Sequence, residues 1–350
     1  MTETHVNFYY KTSDAWQAMY DDCLLAEKSI EFEQYILLDD GAGHRFLELF
    51  AEKARAGVKI RLLLDPIGSL GVESSESFKK IIAAGGDIKF YNRLGIVNLF
   101  FPGTWYPRNH TKTLLIDGKV GFVGSVCLSE EMRDWNDFHM RFEGALCKEV
   151  EEAFKISQGG SQTSYEDIDA QFRYKFSQPH RHHNPLYEEL LIEIFKAQKE
   201  ICLVSPYFLP PRRLRKALFA AIKRGVKVKI MISEKTDVRI ADFVSRTYFR
   251  SLLRHGARIF LYSGQMLHSK YVAIDQSWAT IGSSNMDYLS LLHNREANVL
   301  VREPETVTAV QNHFKDDLKS CQEVTLEYCR KIPLHQRVAG WMGRPLKRIL

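Results

Sequence analysis

Residues 110–125 read HTKTLLIDGKVGFVGS, and residues 268–283 read HSKYVAIDQSWATIGS. Both stretches keep one spacing of residues, H-x-K-x4-D-x6-G-S, so the chain carries the same sparse pattern twice. The second copy continues to Asn285, where the first copy has Cys127. A spacing this long that occurs twice indicates an internal repeat.

The two His-x-Lys pairs each lead into an apolar, β-branched run, which is typical of a strand. Residues two apart on a strand share a face. His110 therefore projects together with Lys112, and His268 together with Lys270. Two imidazoles and two ammonium groups suit an anion such as a phosphate, with a nucleophile already present.

The repeat extends over a whole domain. In each copy a strand is followed by a helical pattern, a glycine that ends the helix, and further strands. The predicted elements are strands 29–35 and 200–207, helices 46–56 and 214–224, Gly57 and Gly225, strands 58–64 and 226–232, strands 88–91 and 259–262, and motif strands 113–116 and 271–274. Strands that alternate with helices predict an α/β fold. We expect two pseudo-symmetric halves, each a mainly parallel β-sheet flanked by helices, with a single active site between them.

The predicted domain boundaries follow the composition. Residues 1–156 form the N-terminal half with the first motif, 157–185 a linker, and 186–330 the C-terminal half with the second motif. The linker includes His180-Arg-His-His183, but carboxylates and cysteines at ligand spacing are missing there. A solvated basic loop is therefore favoured over a metal site.

The tail, residues 331–350, is basic and apolar. It contains five Lys or Arg residues, no acidic residue, and Trp341 among several aliphatic side chains. This composition suits docking to anionic lipid. Prolines and glycines in the tail would break a continuous helix, so a tail packed against the domain is the alternative.

Composition limits the class of protein. The 350 residues are 45% hydrophobic and 26% charged, with a formal net charge of +5. The apolar runs are too short to cross a bilayer, and the N-terminus lacks a signal peptide pattern. Six scattered cysteines suit reduced thiols. We expect a cytoplasmic protein, peripheral on the inner face of a membrane.

An apolar and aromatic insertion, residues 94–106, precedes the first motif and has no counterpart in the second copy. One interpretation is ordinary core packing. The other is a wall for acyl chains or a loop that dips into a membrane, since exposed aromatic patches beside a site usually contact a ligand.

The motif residues supply what displacement of an alcohol from a phosphodiester requires. That reaction needs a nucleophile, an acid for the departing oxygen, and positive charge near the phosphoryl oxygens. One imidazole can attack phosphorus while the other protonates the leaving group, and the lysines can neutralise charge without a metal. Ser125, Ser283 and Asn285 are candidate hydrogen-bond donors to the phosphate. The symmetry of the two copies leaves open which histidine attacks.

Carboxylates that could orient the imidazoles stand at matching offsets. Asp137 lies 27 residues after His110, and Glu296 lies 28 residues after His268. Asp117 and Asp275 belong to the motifs and are included among the candidate catalytic residues. Because each ends an apolar strand ahead of a turn, a turn-capping role is favoured for them.

These residues resemble the phospholipase D superfamily, whose signature is H-x-K-x4-D-x6-G-S-x-N twice per active site. Several further stretches are similar to bacterial cardiolipin synthases, namely 35–41, 56–65, 108–112, 206–210 and 224–226. The resemblance implies His110 as nucleophile, His268 as general acid and base, and Asn109 as a substrate contact. It also implies transfer of a phosphatidyl group to phosphatidylglycerol through a phosphohistidine, with neither metal nor cofactor.

Other functions remain open at this stage. A phospholipase D or a nuclease would use water as acceptor, and a membrane- or nucleic-acid-binding module would not turn over. Aromatic and basic residues do not interleave as in a single-strand nucleic-acid platform, so no nucleic acid is expected. We expect phospholipid substrates and an anionic membrane surface as partners, and no oligomer is required. Cys127 puts one phosphate contact in doubt because a thiol is a poor donor.

Overall fold

The computed structural model describes residues 3–93, 95, 105–157, 171–177 and 184–345. The insertion at 94–106 lies almost entirely outside the described residues, and so do His180–His183 and the last five residues of the tail. Among the residues described, none of the helices combines the length and the apolar character that crossing a bilayer requires.

Strands and helices alternate over much of the chain. The strands are β1 (His5–Lys11), β2 (Ser29–Gln34), β3 (Lys59–Leu64), β4 (Asp87–Phe90), β5 (Lys112–Ile116), β6 (Val120–Gly124), β7 (Asn136–Glu143), β8 (Phe172–Phe176), β9 (Glu200–Val204), β10 (Lys227–Ser233), β11 (Arg258–Tyr262), β12 (Tyr271–Ile274), β13 (Trp278–Gly282), β14 (Ala297–Val301) and β15 (Cys321–Glu323). The helices are α1 (Thr12–Leu24), α2 (Gly41–Arg55), α3 (Glu76–Ala83), α4 (Leu146–Ser157), α5 (Pro185–Lys196), α6 (Arg212–Lys223), α7 (Arg239–His255), α8 (Tyr288–Leu292), α9 (Pro304–Asp317), α10 (Leu326–Lys331) and α11 (Leu334–Gly343). The predicted repeat elements are confirmed to within a few residues.

Two mixed sheets carry the fold. One has seven strands in the order β1-β7-β6-β5-β2-β3-β4, and the other has eight in the order β15-β11-β10-β9-β12-β13-β14-β8. The repeat is visible in the pairing, because β2 runs parallel to β3 and antiparallel to the motif strand β5, as β9 does to β10 and β12. The predicted α/β class is confirmed.

The expectation of mainly parallel sheets is wrong. In the seven-stranded sheet only β2–β3 and β3–β4 are parallel, whereas β5, β6, β7 and β1 pair antiparallel. The physical reason is a tight turn after the first motif strand. Asp117 and Gly118 have φ of 53° and 66°, a left-handed conformation that lets the three-residue connection 117–119 join twisted antiparallel strands. The dipeptide Asp-Gly was the sequence signal for this hairpin.

The chain divides into two compact units. The first comprises residues 1–178 with two short later segments, 281–283 and 294–299, and the second comprises the remainder. Each unit has its own apolar core. In the first it includes Phe46 and Phe50 of α2 beneath β2 and β3, and in the second it includes Leu214 and Leu218 of α6. As predicted, Gly57 and Gly225 follow these helices in the left-handed conformation, with φ of 91° and 93°.

The stretch interpreted as a linker is not linker throughout. Phe172–Phe176 forms β8, with Phe172 and Tyr174 buried. The period-two alternation of aromatic and basic residues in this pentapeptide was the signal for a strand, which the surrounding Ser, Gln and Gly residues obscured. A boundary at one point in the sequence also cannot describe the first unit, because segments 281–283 and 294–299 belong to it.

Asp117 and Asp275 have equivalent positions at the ends of β5 and β12. The carboxylate of Asp117 accepts the backbone N–H groups of residues 27, 28 and 29 at 2.7–2.9 Å, and that of Asp275 accepts those of residues 198, 199 and 200. Burial opposes ionisation of Asp117, but the three donors outweigh it and lower the pKa of the carboxyl group. This geometry matches the turn-capping interpretation and gives both residues a structural role.

Replacement of Asp117 by Ala should therefore destabilise the protein. The change leaves three N–H groups without their acceptor and places Ala at positive φ, so we expect a loss of about 3 kcal/mol in the free energy of unfolding. Urea unfolding measures this quantity. Asp117→Asn tolerates the same backbone conformation and keeps one acceptor oxygen, so it should lose less. Equal stability of Asp117→Ala and the unmodified protein would contradict the assignment.

Candidate active site

A short parallel ladder places the first motif histidine. His110 donates its backbone N–H to the carbonyl of Arg295 at 2.9 Å, and Arg295 donates to the carbonyl of Arg108 at 2.9 Å. Asn294 adds a third link through its side chain, which accepts the N–H of Arg108. Both segments belong to the first unit. The ladder therefore holds residue 110 beside residue 296.

The imidazole of His110 contacts a fully buried carboxylate. Its Nδ1 lies 2.9 and 3.0 Å from the two oxygens of Glu296, whose side chain has no solvent exposure. An Nδ1–H donated to the carboxylate leaves Nε2 without a proton and therefore nucleophilic. The number of residues between His268 and Glu296 predicted that Glu296 orients His268. In the structure the Glu296 carboxylate contacts His110. The count failed because the ladder joins residues 186 positions apart.

Glu296 is itself held by two serines. The Ser283 hydroxyl donates to the carboxylate, and Ser177 exchanges hydrogen bonds of 2.8 and 2.9 Å with the backbone of Glu296. Ser177 directly follows β8, in the stretch interpreted as linker, so sequence reasoning missed it. Ser283 therefore supports the carboxylate, a role that the sequence prediction did not include.

The serines of both Gly-Ser pairs form hydrogen bonds with the backbone of a neighbouring strand. Ser125 Oγ accepts the N–H of Phe138 at 3.0 Å and donates to its carbonyl at 3.1 Å, and Ser283 Oγ accepts the N–H of Ala297 at 3.0 Å while its proton is donated to Glu296. A Cβ on Gly124 would lie 2.4 Å from the Phe138 carbonyl oxygen, and one on Gly282 would lie 2.2 Å from that of Ala297. Only glycine permits this approach, which explains why it precedes the serine.

The lysines of both motifs are buried and fold back onto their own histidines. Lys112 Nζ donates to the carbonyl of His110 at 2.8 Å, and Lys270 Nζ donates to that of His268 at 2.6 Å. Among the described residues Lys112 makes no ion pair, and its ammonium carries three donors of which one is used. A buried cation without a carboxylate partner is costly, so this position is suited to bind an anion.

Tyr35 begins the stretch 35–41, and the sequence predicted no role for it. Its ring meets the His110 ring edge to face at 4.9 Å, and Lys112 Nζ lies 5.3 Å from the centre of the same ring. Burial raises the pKa of the Tyr35 hydroxyl, which therefore stays protonated. The equivalent Tyr207 differs, because its hydroxyl donates to Asp237.

The other predicted contacts fall into two groups. Asn109 is fully buried, with its backbone N–H on Asp65 and its side chain on Thr111 and the carbonyl of Leu63, so it supports the loop from behind. Cys127 is buried in the core of the first unit. In the second unit Asn285 is 5% exposed, and its Oδ1 has no partner among the described residues. The described hydrogen bonds of Asn109 thus all lie within the protein, whereas Asn285 Oδ1 has none among the described residues.

Two further carboxylates, Asp137 and Asp287, accept described hydrogen bonds. Asp137 accepts a hydrogen bond of 2.9 Å from Thr12 and lies close enough to His139 to influence its ionisation. Asp287 caps α8 by accepting the N–H of Ser290 at 2.7 Å. Burial raises the pKa of Asp287 to about 6 despite the opposing charge of Lys270. Sequence reasoning missed Asp287, for which the signal was an acidic residue just ahead of a short apolar run.

Comparison with known proteins identifies the family of the chain. The family model described as "Cardiolipin synthase, PLD-like domain" matches residues 23–155 and 190–318. The chain belongs to the phospholipase D superfamily. It is 30% identical to a cardiolipin synthase of Clostridium perfringens strain 13, over 97% of this chain and 75% of the relative, and 29% identical to the minor cardiolipin synthase ClsB of Bacillus subtilis, over 97% and 87%.

A solved structure shares the fold. The phosphatidylserine synthase of Haemophilus influenzae Rd KW20 superimposes with a TM-score of 0.75 at 13% identity, over 99% of this chain and 95% of that one. The resemblance inferred from the two motifs is thus confirmed. This member of the phospholipase D superfamily is a phosphatidyltransferase, similar to bacterial cardiolipin synthases over nearly its whole length.

His139 should make stability depend on pH. The residue is buried, and neither ring nitrogen has a partner among the described residues. Burial lowers its pKa from 6.5 to about 4, with Lys112 contributing and Asp137 opposing. Between these pH values only the unfolded state takes up a proton on His139. The contribution of a neutral His139 to the free energy of unfolding is therefore present above pH 6.5 and is lost as pH falls toward 4. We expect a loss of about 2 kcal/mol by about pH 5.

Urea unfolding at about pH 7 and about pH 5 checks this expectation. The variant His139→Leu removes the titrating group, so its stability should fall less between the two pH values than that of the unmodified protein. The difference between the two proteins isolates His139 from His313, whose pKa burial also lowers to about 4. An identical pH dependence of the two proteins would exclude a buried neutral His139.

Glu296→Gln should slow turnover of phospholipid vesicles. The amide cannot hold the imidazole of His110 in the required protonation state, so we expect kcat to fall by about 10²- to 10⁴-fold with little change in KM. Glu296→Asp should recover part of the rate, and the pH profile of kcat should shift for both variants. Glu149→Gln, a buried glutamate of the same unit, is the matched control. Comparable losses in the control would reduce Glu296 to a folding role.

Proposed function

We propose that the chain transfers a phosphatidyl group from one phosphatidylglycerol molecule to the free hydroxyl of a second, which gives cardiolipin and glycerol. The observation that carries this proposal is the buried His110–Glu296 pair beside Lys112, whose ammonium lacks a carboxylate partner in the described part of the chain. The choice of lipid acceptor is supported by relatives named as cardiolipin synthases.

The first step forms a covalent intermediate. Nε2 of His110 attacks the phosphorus of the donor lipid, an N–P bond forms, and the bond from phosphorus to the glycerol oxygen breaks. A protonated His268 gives its proton to that oxygen, so glycerol leaves as the neutral alcohol. The ammonium groups of Lys112 and Lys270 offset the negative charge on the phosphoryl oxygens.

The second step regenerates the histidine. His268, now neutral, takes the proton of the acceptor hydroxyl while the acceptor oxygen attacks phosphorus and the N–P bond breaks. A hydroxyl on a lipid must reach the intermediate before water does, since water would release phosphatidic acid instead.

The remaining predicted residues divide according to their surroundings. Asn285 contributes a polar contact to the phosphate, and the orienting role of Asp137 stays a prediction. Ser125, Ser283 and Asn109 act on the backbone and on Glu296, away from the lipid. We place the enzyme at an anionic membrane surface on the cytoplasmic side, which the basic composition of the tail supports.

Phosphatidylglycerol vesicles incubated with the protein in EDTA test the reaction. Lipid products resolved by mass spectrometry should show cardiolipin, with an equal amount of free glycerol. His110→Ala should abolish both products because the variant lacks the proposed nucleophile. Acid-labile phosphate on the intact protein should be detectable after a brief incubation and absent from the variant.

His44→Ala is the matched control for this experiment. His44 also contacts a carboxylate, Asp39 at 2.7 Å, but its side chain is 56% exposed and lies outside the motifs. Its replacement should leave the yield of cardiolipin unchanged. Phosphatidic acid as the sole product would make the protein a hydrolase, and turnover of nucleic acid but not of phospholipid would make it a nuclease.

A further inference from the structure

The second unit contains a cavity that the motifs do not line. It has a volume of about 710 Å³ and lies among α7, α10 and α11. This volume falls within the ~300–1,000 Å³ of typical small-molecule sites. We call it the C-terminal cavity, defined by lining residues between Phe243 and Arg254 and between Leu326 and Arg344.

Close helix packing holds one wall of the C-terminal cavity in place. Helix α11 approaches α7 at two glycines, because a Cβ on Gly340 would lie 2.2 Å from the carbonyl oxygen of Phe243 and one on Gly343 would lie 2.7 Å from Val244. The sequence suggested that these glycines would break a helix. Instead they form the contact face of a ten-residue helix, so this part of the tail packs against its own unit.

The charge of the C-terminal cavity is of one sign. Six arginines line it and no acidic residue does, namely Arg246, Arg250, Arg254, Arg330, Arg337 and Arg344. Within the described residues none of them forms an ion pair. Arg246 donates to the side chain of Gln336 and the carbonyl of Glu234, and Arg344 lies over the ring of Tyr248.

Two arginines elsewhere in the same unit do form ion pairs. Arg213 pairs with Glu188 and Arg258 with Glu323, each at 2.7 Å. Six guanidinium groups gathered without a carboxylate repel one another, and a bound anion would remove that cost. Guanidinium groups also match phosphate oxygens in geometry.

The rim of the C-terminal cavity is apolar. Leu334 and Trp341 are 71% and 70% exposed, and Val338 lies between them on α11. Exposed aliphatic side chains and a tryptophan beside arginines are typical of helices that lie in a lipid headgroup layer. A phosphate among the arginines and acyl carbons against this rim would satisfy both parts of the surface.

We infer that the C-terminal cavity binds an anionic phospholipid of the membrane surface at a site separate from the catalytic motifs. Its occupant is a lipid, since a free phosphate would leave the rim exposed. The site goes beyond the proposed transferase reaction, because a lipid held there is bound and not consumed. It would hold the enzyme on membranes that contain its substrate class.

Vesicle sedimentation tests this inference in a His110→Ala background, where turnover cannot change the lipid. Arg250→Gln combined with Arg330→Gln should weaken binding to vesicles of phosphatidylcholine and phosphatidylglycerol by about tenfold or more. Binding to pure phosphatidylcholine should be weak with or without these changes. Quenching of tryptophan fluorescence by brominated lipid should fall in Trp341→Ala.

The matched control is Arg213→Gln with Arg258→Gln, which removes the same charge from outside the C-terminal cavity. Equal losses of vesicle binding in both double variants would show that the effect depends on net charge alone. That result would contradict a lipid site in the C-terminal cavity. If inorganic phosphate bound to these arginines and the protein showed no preference for vesicles, the lipid assignment would be overturned. Failure to detect cardiolipin would not affect this test, because it measures binding by an inactive protein.

Discussion

The proposed chemistry of the first unit depends on Glu296, whose carboxylate has no solvent exposure and contacts the Nδ1 of His110. Burial makes the contact strong, because no water competes for the imidazole proton. It also makes the carboxylate costly to hold, so Ser283 and Ser177 supply further hydrogen bonds to the same residue. The Gly-Ser half of the second motif therefore acts on the histidine of the first through Glu296.

Among the described residues, Lys112, the cation next to this pair, lacks the compensating contacts that Glu296 has. Lys112 is as buried as Glu296 but has a backbone carbonyl and an aromatic face as its described neighbours. The protein thus compensates the charge of the catalytic carboxylate within the fold and leaves a positive charge for the substrate. A phosphodiester would complete the electrostatics that the chain leaves incomplete.

Much of this arrangement could be predicted from the sequence. The two motifs, the repeated order of strands and helices, and the glycines that end α2 and α6 follow from local periodicity and backbone sterics, which a sequence displays directly. The partner of His110 could not be predicted, since it depends on a ladder between residues far apart in the chain. Strand direction was missed because apolar periodicity does not distinguish parallel from antiparallel pairing, although Asp117-Gly118 did signal a hairpin.

The ladder between Asn109 and Arg295 also means that the His110–Glu296 pair can form only late in synthesis. His110 is translated 186 residues before Glu296, which at common elongation rates corresponds to roughly ten to forty seconds. During that interval the nascent chain carries its imidazole without the carboxylate that orients it. Under the proposed mechanism, the nucleophile and its orienting carboxylate are therefore both present only when most of the polypeptide has been made.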